Sequence, residues 1–222
     1  MDSLGRRFAP RRSIVTRGMR RHLACVLLPL ALSVAGSAQA QWHTLSDKSG
    51  IRVESRSMPG ERYEQLRIST SLKVSPEAIA DYLFGRFLDD KNKNVTRTFI
   101  QRGRDVTIWS DVLSTPMTHD RCYSVRFERH DFANGEIRVK FASLGYLGRK
   151  PSPDCIALRS RGEWIMTPLR AETRLTYISL TDIGGDVPVF FVKRSLSSAA
   201  VLSIRKVVAG ASGLPLPQGI SD

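Results

Sequence analysis

The 222-residue chain closes on one long amphipathic helix that follows a succession of short segments with alternating polarity, and this pairing constrains the fold more than any other feature. Over 187–208, at 3.6 residues per turn, Val189, Val192, Leu196, Ala199, Ala200, Ile204 and Val207 fall on one side. Arg194, Ser195, Ser198, Arg205 and Lys206 fall on the other. Asp186 is the predicted N-cap, and Pro188 sits in the first turn, where its missing N–H costs nothing. A sheet of alternating strands has an apolar face that must be covered, and this helix is the only element long enough to cover it. Its middle is built of small residues (Ser197, Ala199, Ala200 and Ser203), so it covers a sheet without filling the space beneath. That space suits a ligand.

The predicted strands lie at 51–58, 63–74, 95–101, 105–111, around 123–127 and 137–141, and at 156–166 and 173–181. Leu66, Ile68, Leu72 and Val74 share one face of the second, whereas Gln65, Arg67, Ser69 and Lys73 share the other. Ser75, Pro76 and Glu77 open a short helix as N-cap, first-position proline and first-turn acid, with Ile79, Leu83 and Phe87 as its apolar positions. Asn134-Gly135 is a hairpin signal. Short links between the later strands predict an antiparallel, sequentially wound sheet. The expected fold class is α+β, a curved antiparallel sheet wrapped around the long C-terminal helix.

The first forty residues read as a signal peptide. Seven arginines precede an apolar run over 23–34 that is too short to span a bilayer, and Ala38-Gln39-Ala40 is an A-x-A cleavage site. Cleavage there leaves a mature chain from Gln41, exported to the periplasm or secreted, with ordinary Sec export favoured over the twin-arginine route. The mature part comprises one domain over 41–210 and a flexible, proline-containing tail over 211–222. Without the seven arginines and the single aspartate of residues 1–40, the net charge falls from +13 to +7. That suits peripheral contact with an anionic membrane. No basic run is interleaved with stacking aromatics, so nucleic acid is not an expected partner.

Cys122 and Cys155 survive cleavage. They are either a disulfide or two buried thiols: strands one apart can be bridged, whereas strands separated by a third lie about 10 Å apart unless a loop folds back. His43, His119 and His130 have no second histidine at metal-ligand spacing, and no nucleophile elbow, P-loop or dinucleotide fingerprint occurs. No catalytic residue, metal or cofactor is expected. His119-Asp120 reads as a solvated loop pair. Arg159, Arg161 and Glu163 read as a solvated outer strand face opposite Trp164.

Three local features resemble the START (StAR-related lipid-transfer) family, within the helix-grip, or Bet v 1-like, superfamily. These are Thr181-Asp182-Ile183-Gly184-Gly185-Asp186-Val187-Pro188, the turn from last strand to lid helix, Pro116-Met117-Thr118-His119-Asp120-Arg121 before a central strand, and the helix ending in Ile204-Arg205-Lys206. The resemblance spans roughly 42–208. It implies a helix-grip fold with a hydrophobic cavity between sheet and C-terminal helix that holds one lipid-like molecule, in a monomer. The cavity-lining candidates are Leu66, Ile68, Tyr123, Phe127, Trp164, Tyr177, Val189, Leu196 and Ala200. Two other expectations stand beside this one. A superfamily enzyme, aromatase/cyclase-like or hydrolytic, has only His119, Asp120, Arg121 and Glu163 as nominal acid–base groups. An envelope interaction protein without a ligand would show a cavity of only a few tens of Å³.

Overall fold

The computed structural model describes residues 41–114, 119–149 and 152–217. Residues 1–40, read above as a signal peptide, residues 116–118 of the Pro116–Arg121 motif and the end of the tail lie outside them. Ten strands and two α-helices follow in the order β1 (His43–Lys48), β2 (Ile51–Arg56), β3 (Gln65–Leu72), α1 (Pro76–Tyr82), β4 (Val95–Gln101), β5 (Val106–Leu113), β6 (Arg121–Asp131), β7 (Ile137–Leu144), β8 (Ile156–Ala157), β9 (Arg159–Pro168), β10 (Thr173–Asp182) and α2 (Val189–Ala211). The sheet runs β1-β2-β3-β10-β9-β7-β6-β5-β4, antiparallel throughout, and β8 adds a parallel pair to β6. The crossover through α1 carries the chain from the middle of the sheet to its far edge, and the later strands wind back until β10 meets β3. The architecture is the α+β sheet-around-a-helix arrangement expected from the sequence.

Alternation decides which side chains enter the core. Ile68 pairs with Tyr177, Tyr177 with Trp164, and Trp164 with Val139, so one parity carries the apolar set across four strands. Ile68, Val139, Trp164, Met166 and Leu175 are fully enclosed there, each burial being worth roughly 1.5–3 kcal/mol before chain entropy is charged against it. The opposite parity is polar: Arg67 holds Glu54 bidentately, and Arg161 reaches Glu61 at 2.6 Å, placing the Arg159–Glu163 face outside the core as expected.

Three local readings are corrected, and the alternative left open for the cysteines is decided. The strand His43–Lys48 was absent from the sequence reading; it pairs with β2 across Ser49 and Gly50, both at positive φ. The first helix opens as predicted, Ser75 Oγ accepting from Ala78 N–H at 3.3 Å, but becomes a π turn at Leu83–Phe87, broken at Gly85. Asp186 does not cap α2. The cap position is Pro188 without a side-chain bond, because Gly184 and Gly185 take left-handed conformations and Arg62 donates to the carbonyls of Gly185 and Val187 at 2.7 and 3.0 Å. That holds 186–188 out of the helix. Finally, Cys122 and Cys155 are bonded, with Cα atoms 5.8 Å apart. β7 does separate β6 from β9, but the loop before β9 folds back so that β8 lies against the start of β6.

Candidate functional site

The groove under α2 contains three adjoining spaces. A chamber of about 500 Å³ lies between the first half of α2 and strands β1–β3, walled by Leu45, Tyr63, Leu66 and Leu196. A gap of about 90 Å³ follows beneath Ala199, Ala200 and Ser203, floored by Tyr177, Ser179 and Thr181 of β10. Leu66 and Leu196 border both. Beyond the gap, a cleft of about 640 Å³ opens between α2, the 87–93 segment and β4, and Ala199 and Ser203 border both of these. The small residues of the helix therefore do leave space, but the space directly beneath them is narrow, and the larger volumes flank it.

The chamber is the most apolar of the three, whereas Asp89, Asp90, Lys91, Lys93 and Lys206 make the far cleft strongly charged. Tyr63 is almost completely buried beside the chamber, and its hydroxyl has no hydrogen-bond partner. Near the far cleft, Asp111 is buried and receives a two-pronged contact from Arg97 at 2.8 and 2.7 Å, together with Trp109 Nε1 at 3.1 Å. Arg97 also donates to Leu88 O at 2.9 Å and lines the cleft. Tyr123 lies opposite Asp111 in the β5–β6 register, and burial, then the Asp111 charge, pushes its phenol well above the usual tyrosine range. Burial likewise pushes Tyr177 up to about 12. Both phenols are neutral hydrogen-bonding groups at physiological pH. Among the described residues no cluster of three or more His, Cys, Asp or Glu is placed to hold a metal.

Of the predicted lining residues, Leu66, Tyr177, Leu196 and Ala200 meet around the gap. Ile68, Phe127 and Trp164 stand behind it in the core, because aromatic rings interlock there: Trp164 with Tyr177 at 4.2 Å, Trp109 with Phe127 at 4.8 Å and Phe87 with Trp164 at 5.7 Å. Tyr123 belongs to the Asp111 cluster, and Val189 is half-buried at the start of α2, outside all three spaces. The sequence reading passed over Arg97 and Asp111. Their signal was parity: each shares a strand face with an aromatic neighbour two residues away, Phe99 and Trp109, which places two opposite charges on the inner face.

The approach to α2 is built around the Gly184–Gly185 turn. A Cβ on Gly184 would stand 2.7 Å from Ala157 O and from Ile156, so the turn sits directly on β8, which the disulfide ties to β6. Arg121 Nε donates to Ile183 O at 3.1 Å from beneath. On the rim, Lys193 pairs with Glu64 at 3.2 Å and Lys206 with Asp90, linking α2 to both margins. An exposed pair such as Lys193–Glu64 contributes about 0.2–1 kcal/mol, so it holds the first half of the helix only lightly, whereas Lys206–Asp90 is half-buried.

No protein-family model and no curated protein sequence matches the chain. Solved structures do. A STAR-related lipid transfer protein from Xanthomonas axonopodis superposes with a TM-score of 0.65 at 16% identity, over 77% of this chain and 98% of that one. The fold is that of a START domain. Human STARD10 gives 0.64 at 15% identity over 77% of this chain and 73% of its own. Human StAR-related lipid transfer protein 5 gives 0.64 at 17%, over 79% and 88%. The START-type helix-grip architecture inferred from the Gly184–Pro188 turn and the closing helix is thus shared at low sequence identity.

Proposed function

We propose that this protein is an exported START-type domain that holds one lipid or similarly hydrophobic molecule under α2 and carries it between membranes. The observation that carries the reading is the line of adjoining spaces beneath the small-residue side of α2. The chamber of about 500 Å³, with its wall of Leu45, Tyr63, Leu66 and Leu196 and a few polar groups, has the size and character of a ligand site. The 90 Å³ gap is too narrow for an acyl chain, so a ligand spanning the groove must lift the helix. Leu66, Tyr177, Leu196 and Ala200 would touch it, while Tyr63 and the Arg97–Asp111–Tyr123 cluster offer polar ends.

Contact with the membrane falls to the start of α2. Phe190 and Phe191 are 74% and 67% exposed on its first turn, with Lys193 and Arg194 following. Lys193 and Arg194 also border the chamber, so aromatic rings seated in an interface and cations on anionic headgroups would bring a bilayer to the mouth of the site. None of the described helices is long and apolar enough to cross a membrane. The test is transfer of fluorescent lipids from donor to acceptor vesicles. Phe190→Ser with Phe191→Ser should slow transfer at least tenfold, with the thermal transition unchanged. Transfer at the wild-type rate, or none for any lipid class with wild-type protein, would remove the transport reading.

A further inference from the structure

The far end of α2 borders a second cleft, of about 800 Å³, that shares no residue with the spaces under the helix. It arises from strand lengths. Pairing of β2 with β3 stops at Arg52↔Ser69, whereas β3 continues beside β10 to Leu72. The notch left at the end of the sheet is bordered by Arg52 of β2, Arg174 of β10 and the last turns of α2.

Three arginines from three elements line that space: Arg52 of β2, Arg174 of β10 and Arg205 of α2. Arg52 approaches Glu54 at 3.5 Å and donates to Thr44 Oγ1 at 3.2 Å. Among the described residues, Arg174 and Arg205 have no ion pair. A single acid, Glu172, faces the cleft, and Ser69 and Ser71 add hydroxyl donors. The remaining wall is apolar, supplied by Ile51, Val208 and Leu214. Arg174 and Arg205 thus face the cleft without a carboxylate of their own, and planar guanidinium forks fit phosphate oxygens.

We propose that this notch binds a phosphate-bearing amphiphile, the phosphate on Arg52, Arg174 and Arg205 and the apolar part against Ile51, Val208 and Leu214. The chemistry is common to a free soluble molecule and to a lipid resident in a bilayer. Calorimetric titration of the purified protein with dihexanoyl phosphatidic acid below its micelle concentration, with inorganic phosphate, and with vesicles containing phosphatidic acid separates these sources. Expected is one saturable site for dihexanoyl phosphatidic acid, weakened at least tenfold by Arg174→Gln with Arg205→Gln. Ala200→Trp, which acts only under the middle of α2, should leave that binding unchanged, as should the charge-matched control Arg126→Gln with Arg161→Gln. Vesicle binding lost in the same variant supports a membrane-resident source; soluble binding alone supports a free one. Inorganic phosphate binding as tightly as the amphiphile, equal weakening by the control pair, or no saturable binding would overturn the assignment.

Discussion

The two halves of α2 are held by different forces. Over its second half, Ala200, Ile204 and Val207 are buried, and Gly210 passes so close to Tyr82 that a Cβ there would stand 2.1 Å from the ring. Over its first half only Val192 is buried, Leu196 is half-buried, and Phe190 and Phe191 face outward. What fastens that half is polar: Lys193 on Glu64 within it, and Arg62 on the carbonyls of Gly185 and Val187 just before it. Apolar burial is lost only by separating the surfaces, whereas surface hydrogen bonds exchange readily with water. Anchoring of this kind predicts that the helix opens from its N-terminal end, over the chamber, and hinges on its buried second half. The same helix is therefore a core element along one half and a lid along the other.

Substitutions can break this contrast directly. Ile204→Ala, at a fully buried position, should lower the unfolding free energy by about 2–5 kcal/mol, and Leu196→Ala by roughly half as much or less; equal losses in denaturant titrations would erase the distinction. Replacing both Cys122 and Cys155 by Ser should cost about 2–4 kcal/mol, since the bond closes a segment of 33 residues. Because that bond also fixes β8 under the turn, amide exchange should quicken over 183–192 and stay slow over 200–211. Gly210→Ala should cost about 1–3 kcal/mol by overlap with Tyr82, with part of the loss recovered in combination with Tyr82→Leu.

The lid half answers to gentler changes. Arg62→Ala should alter the unfolding free energy by less than about 1 kcal/mol while accelerating lipid exchange severalfold, measured by dequenching of a fluorescent lipid. Tyr177, under the gap, offers an internal probe. Its phenol is raised by burial to about 12 in the folded state, against about 10 unfolded, so its contribution to stability is complete below pH 10 and is lost as pH rises through 12. Ultraviolet titration should show this group ionising near 12 in the wild type and lower in Arg62→Ala, where water reaches the gap more often.

The sequence carried the fold because alternation and the closing helix are repeated over many residues, so single ambiguities cancel. It missed β1 because His43–Lys48 offers no apolar stripe; that strand is stabilised by pairing with β2 and by a turn with positive φ at Ser49 and Gly50. The helix start shifted because the decisive partner, Arg62, lies more than a hundred residues away in the chain. The disulfide depended on a two-residue strand whose parallel pairing leaves almost no local signal. In the site, the small residues of α2 revealed where the helix stands off the sheet. How far it stands off depends on how the aromatic rings beneath it interlock, and Arg97 and Asp111 pass for solvated charges until two strands are aligned.

Occupancy of the groove is the central point, and native mass spectrometry of the purified protein reads it directly. Expected is a population carrying one hydrophobic molecule per chain, recovered by organic extraction. It should be absent from Ala200→Trp and reduced in the smaller Ala200→Leu, with both variants retaining the wild-type circular dichroism spectrum. The bare chain mass in wild-type protein, with nothing extractable and no lipid taken up from vesicles, would contradict a ligand under α2.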